Sequence, residues 1–176
     1  MYEIETKRLL FRRMLESDSE ALHRIFSNDD AMTYWSRPPH TDISQTMSVI
    51  LDTLSPAYAK DYYFVLCLKS PTSPPQLIGT MGTIENEIGF ILHPSYWRKG
   101  IASEGMEEFL KSFWETQQNV GSIKADVDPR NDASLRLLEK FGFVETGRES
   151  GTFQTHMGSC DSVYLRLERP KCESEA

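Results

Sequence analysis

Cysteine is scarce in this chain of 176 residues: there are three, Cys67, Cys160 and Cys172, odd in number and widely spaced. None stands in the close pairs that zinc and dithiol motifs require, which excludes a disulfide scaffold or a zinc module and reads as three reduced thiols. Cys67 sits in an apolar run and fits a small core residue better than a nucleophile. Long apolar runs are missing too. The longest, Tyr62 to Leu68, falls far short of the roughly 20 residues that cross a bilayer as a helix. Nor is positive charge in excess: nineteen basic residues face twenty-six acidic ones, a net charge of −7. That balance argues against nucleic acid, whose binding rests on clustered Lys and Arg, and suits cationic substrates. Met1 to Glu5 contain neither a basic leader nor an apolar signal core, so a cytoplasmic protein is expected. His23, His40, His93 and His156 form no close-spaced ligand set, and no metal is expected.

What is present fits one globular domain. Apolar residues make up 39% and charged residues 26%, and the length is about that of a single core, expected to span residues 1–170 with 171–176 a disordered tail. Strand patterns occur at Tyr62–Leu68, Leu77–Ile84, Glu87–Leu92, Ile123–Val127, Phe143–Glu149 and Ser162–Glu168, with one further strand expected ahead of the first helix. The segment from Ser70 to Pro75 reads as a hairpin turn because proline cannot donate to a ladder, and Asn86 marks another connection. Four helices are predicted. Ser17 to Glu20 has capping-box spacing ahead of Leu22, Ile25 and Phe26. Ile43, Met47, Ile50, Leu51 and Leu54 share a helical face that stops before Pro56. Ala102 to Phe113 gives a third. Asp132 to Phe141 gives a fourth, with Gly142 at the left-handed stop. The order predicts an α+β fold: a mixed, mostly antiparallel central sheet of about seven strands flanked by about four helices.

The most informative stretch is Glu87-Ile88-Gly89-Phe90-Ile91-Leu92-His93-Pro94-Ser95-Tyr96-Trp97-Arg98-Lys99-Gly100-Ile101-Ala102-Ser103-Glu104. It reads as a strand, a tight loop and a helix start. Free amides and a partial positive charge at a helix N-terminus make an anion cradle, with Gly100 and Ala102 keeping bulk away and Arg98 and Lys99 adding cations. That combination suits a diphosphate; an ordinary strand-to-helix turn with solvated basic residues is the competing reading. A nucleoside-triphosphate loop is excluded, since Gly100 is followed by Ile101 rather than Lys.

Tyr96 to Glu104 resembles the coenzyme A loop of the GNAT acetyltransferase superfamily, in the form seen in its RimJ/RimL branch, with Trp97 where other members have Arg or Gln. Glu5 to Arg13 is similar to the opening strand of that branch, and Asp128-Pro129-Arg130-Asn131 through Phe143 to its second coenzyme motif. The resemblance implies the GNAT fold and an N-acetyltransferase using acetyl-CoA as acyl donor in a ternary complex. The acceptor would be a protein N-terminal α-amine or a small amine or amino acid. It implies that main-chain groups of Ile91 and Leu92 hold the pantetheine arm, that amides of Arg98, Lys99, Gly100, Ile101, Ala102 and Ser103 hold the diphosphate, and that an N–H near Leu92 or His93 stabilises the oxyanion.

By the same resemblance Asn131 and Ser134 meet the coenzyme; helix capping by Asn131 and a plain surface Ser134 are the alternative. The family tyrosine that protonates the departing thiolate is replaced by Leu138, which makes Ser134 the candidate acid and keeps open a second reading, a catalytically silent acyl-CoA sensor. An ammonium must lose a proton before it attacks, and Glu87, at the start of the strand beside the thioester gap, is the candidate base or else a solvated strand end. Tyr34, Trp35 and Asp126 are candidates for acceptor contact. Tyr34 and Trp35 serve equally as a core plug, and Asp126 shares its parity with Lys124 and Asp128, which suggests a solvated face. Glu104 and His93 read as structural. No nucleic acid or membrane partner is expected, and the chain is a monomer or a homodimer.

Overall fold

The computed structural model describes residues 3–55, 57, 62–155 and 158–171. Pro56, His156, Cys172 and the tail after residue 171 lie outside the described residues. The chain forms β1 (Ile4–Glu5), β2 (Leu9–Arg12), α1 (Ser19–Phe26), α2 (Asp29–Met32), α3 (Ile43–Leu54), β3 (Tyr62–Leu68), β4 (Gln76–Ile84), β5 (Glu87–Leu92), α4 (Ile101–Thr116), β6 (Ser122–Val127), α5 (Asp132–Lys140), β7 (Val144–Thr155) and β8 (Gly158–Glu168). The eight strands make one sheet in the order β1-β2-β3-β4-β5-β6-β8-β7, antiparallel except where β5 meets β6.

Alternation along the strands feeds two cores. In β3, Phe64 and Leu66 face α4 with its Phe109 and Phe113, whereas Val65 and Cys67 face Leu22, Ile25 and Ile50 of α1 and α3. Both faces are therefore covered, and β3 reads as a continuous apolar run for that reason. The β4–β5 hairpin turns on Glu85 and Asn86, both at positive φ (51° and 65°), the two-residue turn whose twist suits a hairpin.

Several sequence expectations change, among them the last two strands, which extend over Val144–Thr155 and Gly158–Glu168. The predicted opening strand is two strands, β1 folding back on β2 with Ile4 opposite Phe11, which raises the count to eight. The four-residue α2, capped by the Asn28 side chain on the Ala31 amide (2.9 Å), is too short to show helical periodicity. The capping box at Ser17–Glu20 does not form: Asp18 turns back to pair with Arg12 (2.7 and 2.8 Å) and to accept from the Leu15 amide. A two-pronged ion pair outcompetes a neutral cap. In α3, capped instead by Asp42 and Gln45, Ile50 is buried but Ile43, Leu51 and Leu54 are exposed, because α3 packs on α1 rather than flat on the sheet.

Candidate active site

The site begins where the sheet splits. β5 and β6 run parallel and pair only at Glu87 opposite Lys124, with the Lys124 amide donating to the Asn86 carbonyl (2.9 Å). Beyond that point the strands part. On the other edge of β5 the His93 amide donates to the Ile78 carbonyl (2.9 Å), and antiparallel alternation then commits the main chain of Ile91 and Gly89 to β4. The main-chain groups of Phe90 and Leu92 consequently face the gap. This parity alters the expectation for Ile91, whose backbone is spent within the sheet, and for the His93 amide, which is already bonded. Of the Leu92 groups, the carbonyl is taken by the Trp97 indole (2.8 Å); the amide faces the gap.

At the end of β5 the chain passes through a 3-10 turn, Pro94–Tyr96, in which His93 Nδ1 accepts from the Ser95 amide (3.3 Å). Arg98 and Gly100 then adopt left-handed conformations (φ 57° and 70°) before α4 begins. Gly100 is the N-cap and has no side chain to occupy the amides of Ile101, Ala102 and Ser103, so the first turn of α4 stays open to an anion. Across the cleft, α5 starts at Asn131, whose Oδ1 accepts from the Ser134 amide (3.1 Å). Capping and cleft lining coincide in this residue: its Oδ1 is spent, and its Nδ2 has no protein partner among the described residues. Lys140, in the last turn of α5, donates to Ser103 Oγ and ties the two helices together.

These elements enclose a cleft of about 1010 Å³. Ile91, Leu92, Arg98, Gly100, Ile101, Ala102, Ser103, Asn131 and Ser134 are on its wall, and so are Tyr34, Trp35, Glu87 and Asp126. Lys99 is the one expected residue that is not on the wall; its ammonium lies over the Tyr96 ring, 5.7 Å from the centroid. Leu138 is buried in the α4 core and reaches the cleft only as apolar floor. Trp35 both packs against the α1–α3 core and forms a wall, near Gly89, where a Cβ would stand 3.9 Å from its ring. Tyr34 is exposed and plugs nothing.

The electrostatics separate the carboxylates. Glu87 reaches solvent at the cleft mouth, yet burial of its carboxylate and then the charge of Asp126 raise its pKa, against a smaller pull from Lys124. Asp128 does not share the solvated face of Asp126. It is buried, and although burial opposes its charge, three bonds from the Arg130 side chain and one from its main-chain amide (2.5 to 3.1 Å) hold its pKa below the usual range. The free thiols Cys67 and Cys160 are buried, and burial, then Asp128, pushes Cys160 up to about 11. Sequence reasoning missed Tyr164 and Thr152 on the cleft wall. Tyr164 stands opposite Asp126 only through the β6–β8 register, for which no local pattern existed.

A model of the acetyltransferase (GNAT) domain matches residues 8–144. The chain belongs to the GNAT acetyltransferase family. N-acetyltransferase YoaA of Bacillus subtilis, itself uncharacterized, is 32% identical over 82% of this chain and 84% of its own length. A GNAT acetyltransferase from Bacillus anthracis superposes with a TM-score of 0.80 at 24% identity, covering 97% of this chain and 100% of the other. Ribosomal-protein-S5-alanine acetyltransferase from Vibrio fischeri does so with a TM-score of 0.79 at 19% identity, covering 97% and 98%. At these identities the two structural likenesses concern the fold. The GNAT fold is thus established, and the protein is an acetyltransferase.

Proposed function

We propose that the protein transfers the acetyl group of acetyl-CoA to an amine by direct attack within a ternary complex in this cleft. The single observation that carries the reading is the parting of β5 from β6 immediately after Glu87. It leaves the main chain of Phe90 and the amide of Leu92 unpaired along that edge, with an open helix N-terminus after the strand and a carboxylate at its start. In this reading the pantetheine arm pairs with the main chain of Phe90, and the Leu92 amide, whose own carbonyl is held by Trp97, is kept for the thioester oxygen. The diphosphate takes the amides of Gly100 to Ser103 beside Arg98, and Asn131 Nδ2 meets the arm.

The acceptor enters between Tyr34, Trp35 and Asp126. Glu87, with its raised pKa, takes the proton that an alkylammonium must lose, directly or through water. The neutral nitrogen attacks the thioester carbon. The Leu92 amide stabilises the oxygen as the carbonyl becomes tetrahedral, and as the C–S bond breaks the proton that the attacking nitrogen still carries passes through Ser134, directly or by way of water, to the sulfur. A thiolate leaves readily near its ordinary pKa, so Leu138 in place of a tyrosine does not abolish the reaction. The protein acts as a single catalytic domain. The acceptor is a protein N-terminal α-amine or a small amine; the acidic lining of the acceptor end favours a cationic one.

The test is release of free thiol from acetyl-CoA over a panel of small amines and N-terminal peptides, with wild type and Glu87→Gln. The expected result is amine-dependent release by wild type that Glu87→Gln lowers by about a hundredfold or more. Tight acetyl-CoA binding with no amine-dependent release would instead support an acyl-CoA sensor.

A further inference from the structure

The loop that leads into α4 is strained and needs an external hold. Arg98, a residue with a Cβ, sits at φ 57° two positions before Gly100 at φ 70°, and such conformations persist only where neighbours over-determine them. Trp97 fixes one side of the loop through the Leu92 carbonyl. The other side is fixed from ninety-one residues away: Arg8 Nη1 donates to the Lys99 carbonyl (2.9 Å), between the two left-handed residues.

Arg8 is itself immobilised on α4. Its Nε donates to Glu104 Oε2 (2.5 Å) and its main-chain amide to Glu104 Oε1 (2.8 Å), while Thr6 Oγ1 donates to the same Oε1 (2.5 Å). Thr6 Oγ1 also accepts from the amides of Arg8 (3.2 Å) and Leu9 (2.8 Å). The short β1–β2 fold-back is thereby bolted to the first turn of the helix. Burial opposes the charge of Glu104, but the bonds from Thr6 and Arg8 outweigh it and hold its pKa below the usual range. The guanidinium stands against Gly100, where a Cβ would lie 3.6 Å from Nη2. An ion pair that served only to close the fold would need Glu104 alone; the additional bond to the Lys99 carbonyl reaches the loop itself.

We propose that Arg8, oriented by Glu104 and Thr6, is a positioning residue for the diphosphate-binding loop: it fixes the Lys99 peptide so that the following amides converge, and sets a positive charge behind them. This rests on the reading that the loop holds the diphosphate. The role is specific to donors that carry that group, and a planar fork is required because one guanidinium serves two acceptors at once.

The experiment compares acetyl-CoA with S-acetylpantetheine, a donor without the diphosphate, in wild type, Arg8→Gln, Arg8→Lys and Glu104→Gln, with Tm measured for each. The loop reading requires wild type to have a much lower KM for acetyl-CoA than for S-acetylpantetheine; equal values would refute it. Given that preference, Arg8→Gln is expected to raise KM for acetyl-CoA about tenfold or more, equivalent to about 1.4 kcal/mol. The KM values for S-acetylpantetheine and the amine, and kcat at saturation, stay within about twofold. Arg8→Lys, which keeps the charge but not the fork, recovers only part of the loss. If the acetyl-CoA preference survives in the Arg8 variants, or if KM for both donors rises in parallel with a fall in Tm, the proposal is wrong and the cluster is purely structural. Should Arg8→Gln fail to fold, Glu104→Gln is read by the same ratio.

Discussion

Glu87 owes its raised pKa to burial first and to the neighbouring charge of Asp126 second, with Lys124 pulling the other way. As the proposed base it must be ionised, so activity falls as pH drops through that raised value. The acidic limb of the kcat/KM profile is therefore expected above the ordinary carboxylate range. Asp126→Asn should move it to lower pH and Lys124→Met to higher pH, and an acidic limb indifferent to both substitutions would remove Glu87 from the role. Glu87 was legible in the sequence because an amine acceptor needs a base and the strand start offered one. Arg8 was not, since its partners at Lys99 and Glu104 are distant in sequence and a basic residue near an N-terminus carries no local signal. Leu138 was legible as a missing hydroxyl; its burial beneath the cleft could come only from the packed fold.

At the scale of elements, the cleft depends on how closely β4 and β5 approach. A Cβ on Gly79 would lie 2.2 Å from the Ile91 carbonyl oxygen and 2.6 Å from Leu92 Cδ2, so Gly79→Ala must displace the strand that carries the proposed oxyanion amide. A loss of about 1–3 kcal/mol in urea unfolding is expected, the usual cost of overpacking, together with a fall in kcat/KM. Gly100→Ala meets no clash but holds a Cβ at φ 70°. Its expected cost is about 1–2 kcal/mol, with weaker acetyl-CoA binding by calorimetry. Periodicity located β3, β5 and α3 within a residue or so, because each has an apolar pattern with clear stops, and found α4 but ended it at Phe113, three residues short of Thr116. It could not give the fold-back of β1, which is two residues long, nor the four-residue α2. The parity of β5 was equally hidden: whether Ile91 or Phe90 turns its main chain to the gap depends on which edge β4 occupies, and that is a property of the sheet.

For the whole molecule, two ionised carboxylates matter to acid stability: Glu104 joins α4 to the distant β1–β2 fold-back, and the buried Asp128 is held by Arg130 two residues on. Both have folded-state pKa values below their ordinary ones. Their contribution to stability is therefore fully present above the unfolded-state pKa and is lost as pH falls through the folded one. Glu87 has the opposite sign: its raised value favours the folded state below the unfolded pKa, and that contribution fades as pH rises through the folded value. Thermal unfolding followed from neutral to acidic pH should show Tm falling in the acid range, with a shallower fall in Glu104→Gln; identical slopes would place the acid lability elsewhere.

The proposed function requires the unpaired edge of β5 and the open start of α4 to receive acetyl-CoA together. Amide-resolved NMR titration with acetyl-CoA addresses both at once. Saturable shifts are expected at the amides of Leu92, Gly100, Ile101, Ala102 and Ser103, with the Ile91 and His93 amides, already bonded within the sheet, changing little. Saturable shifts centred on any other face of the molecule, or none at those five amides, would overturn the proposed function.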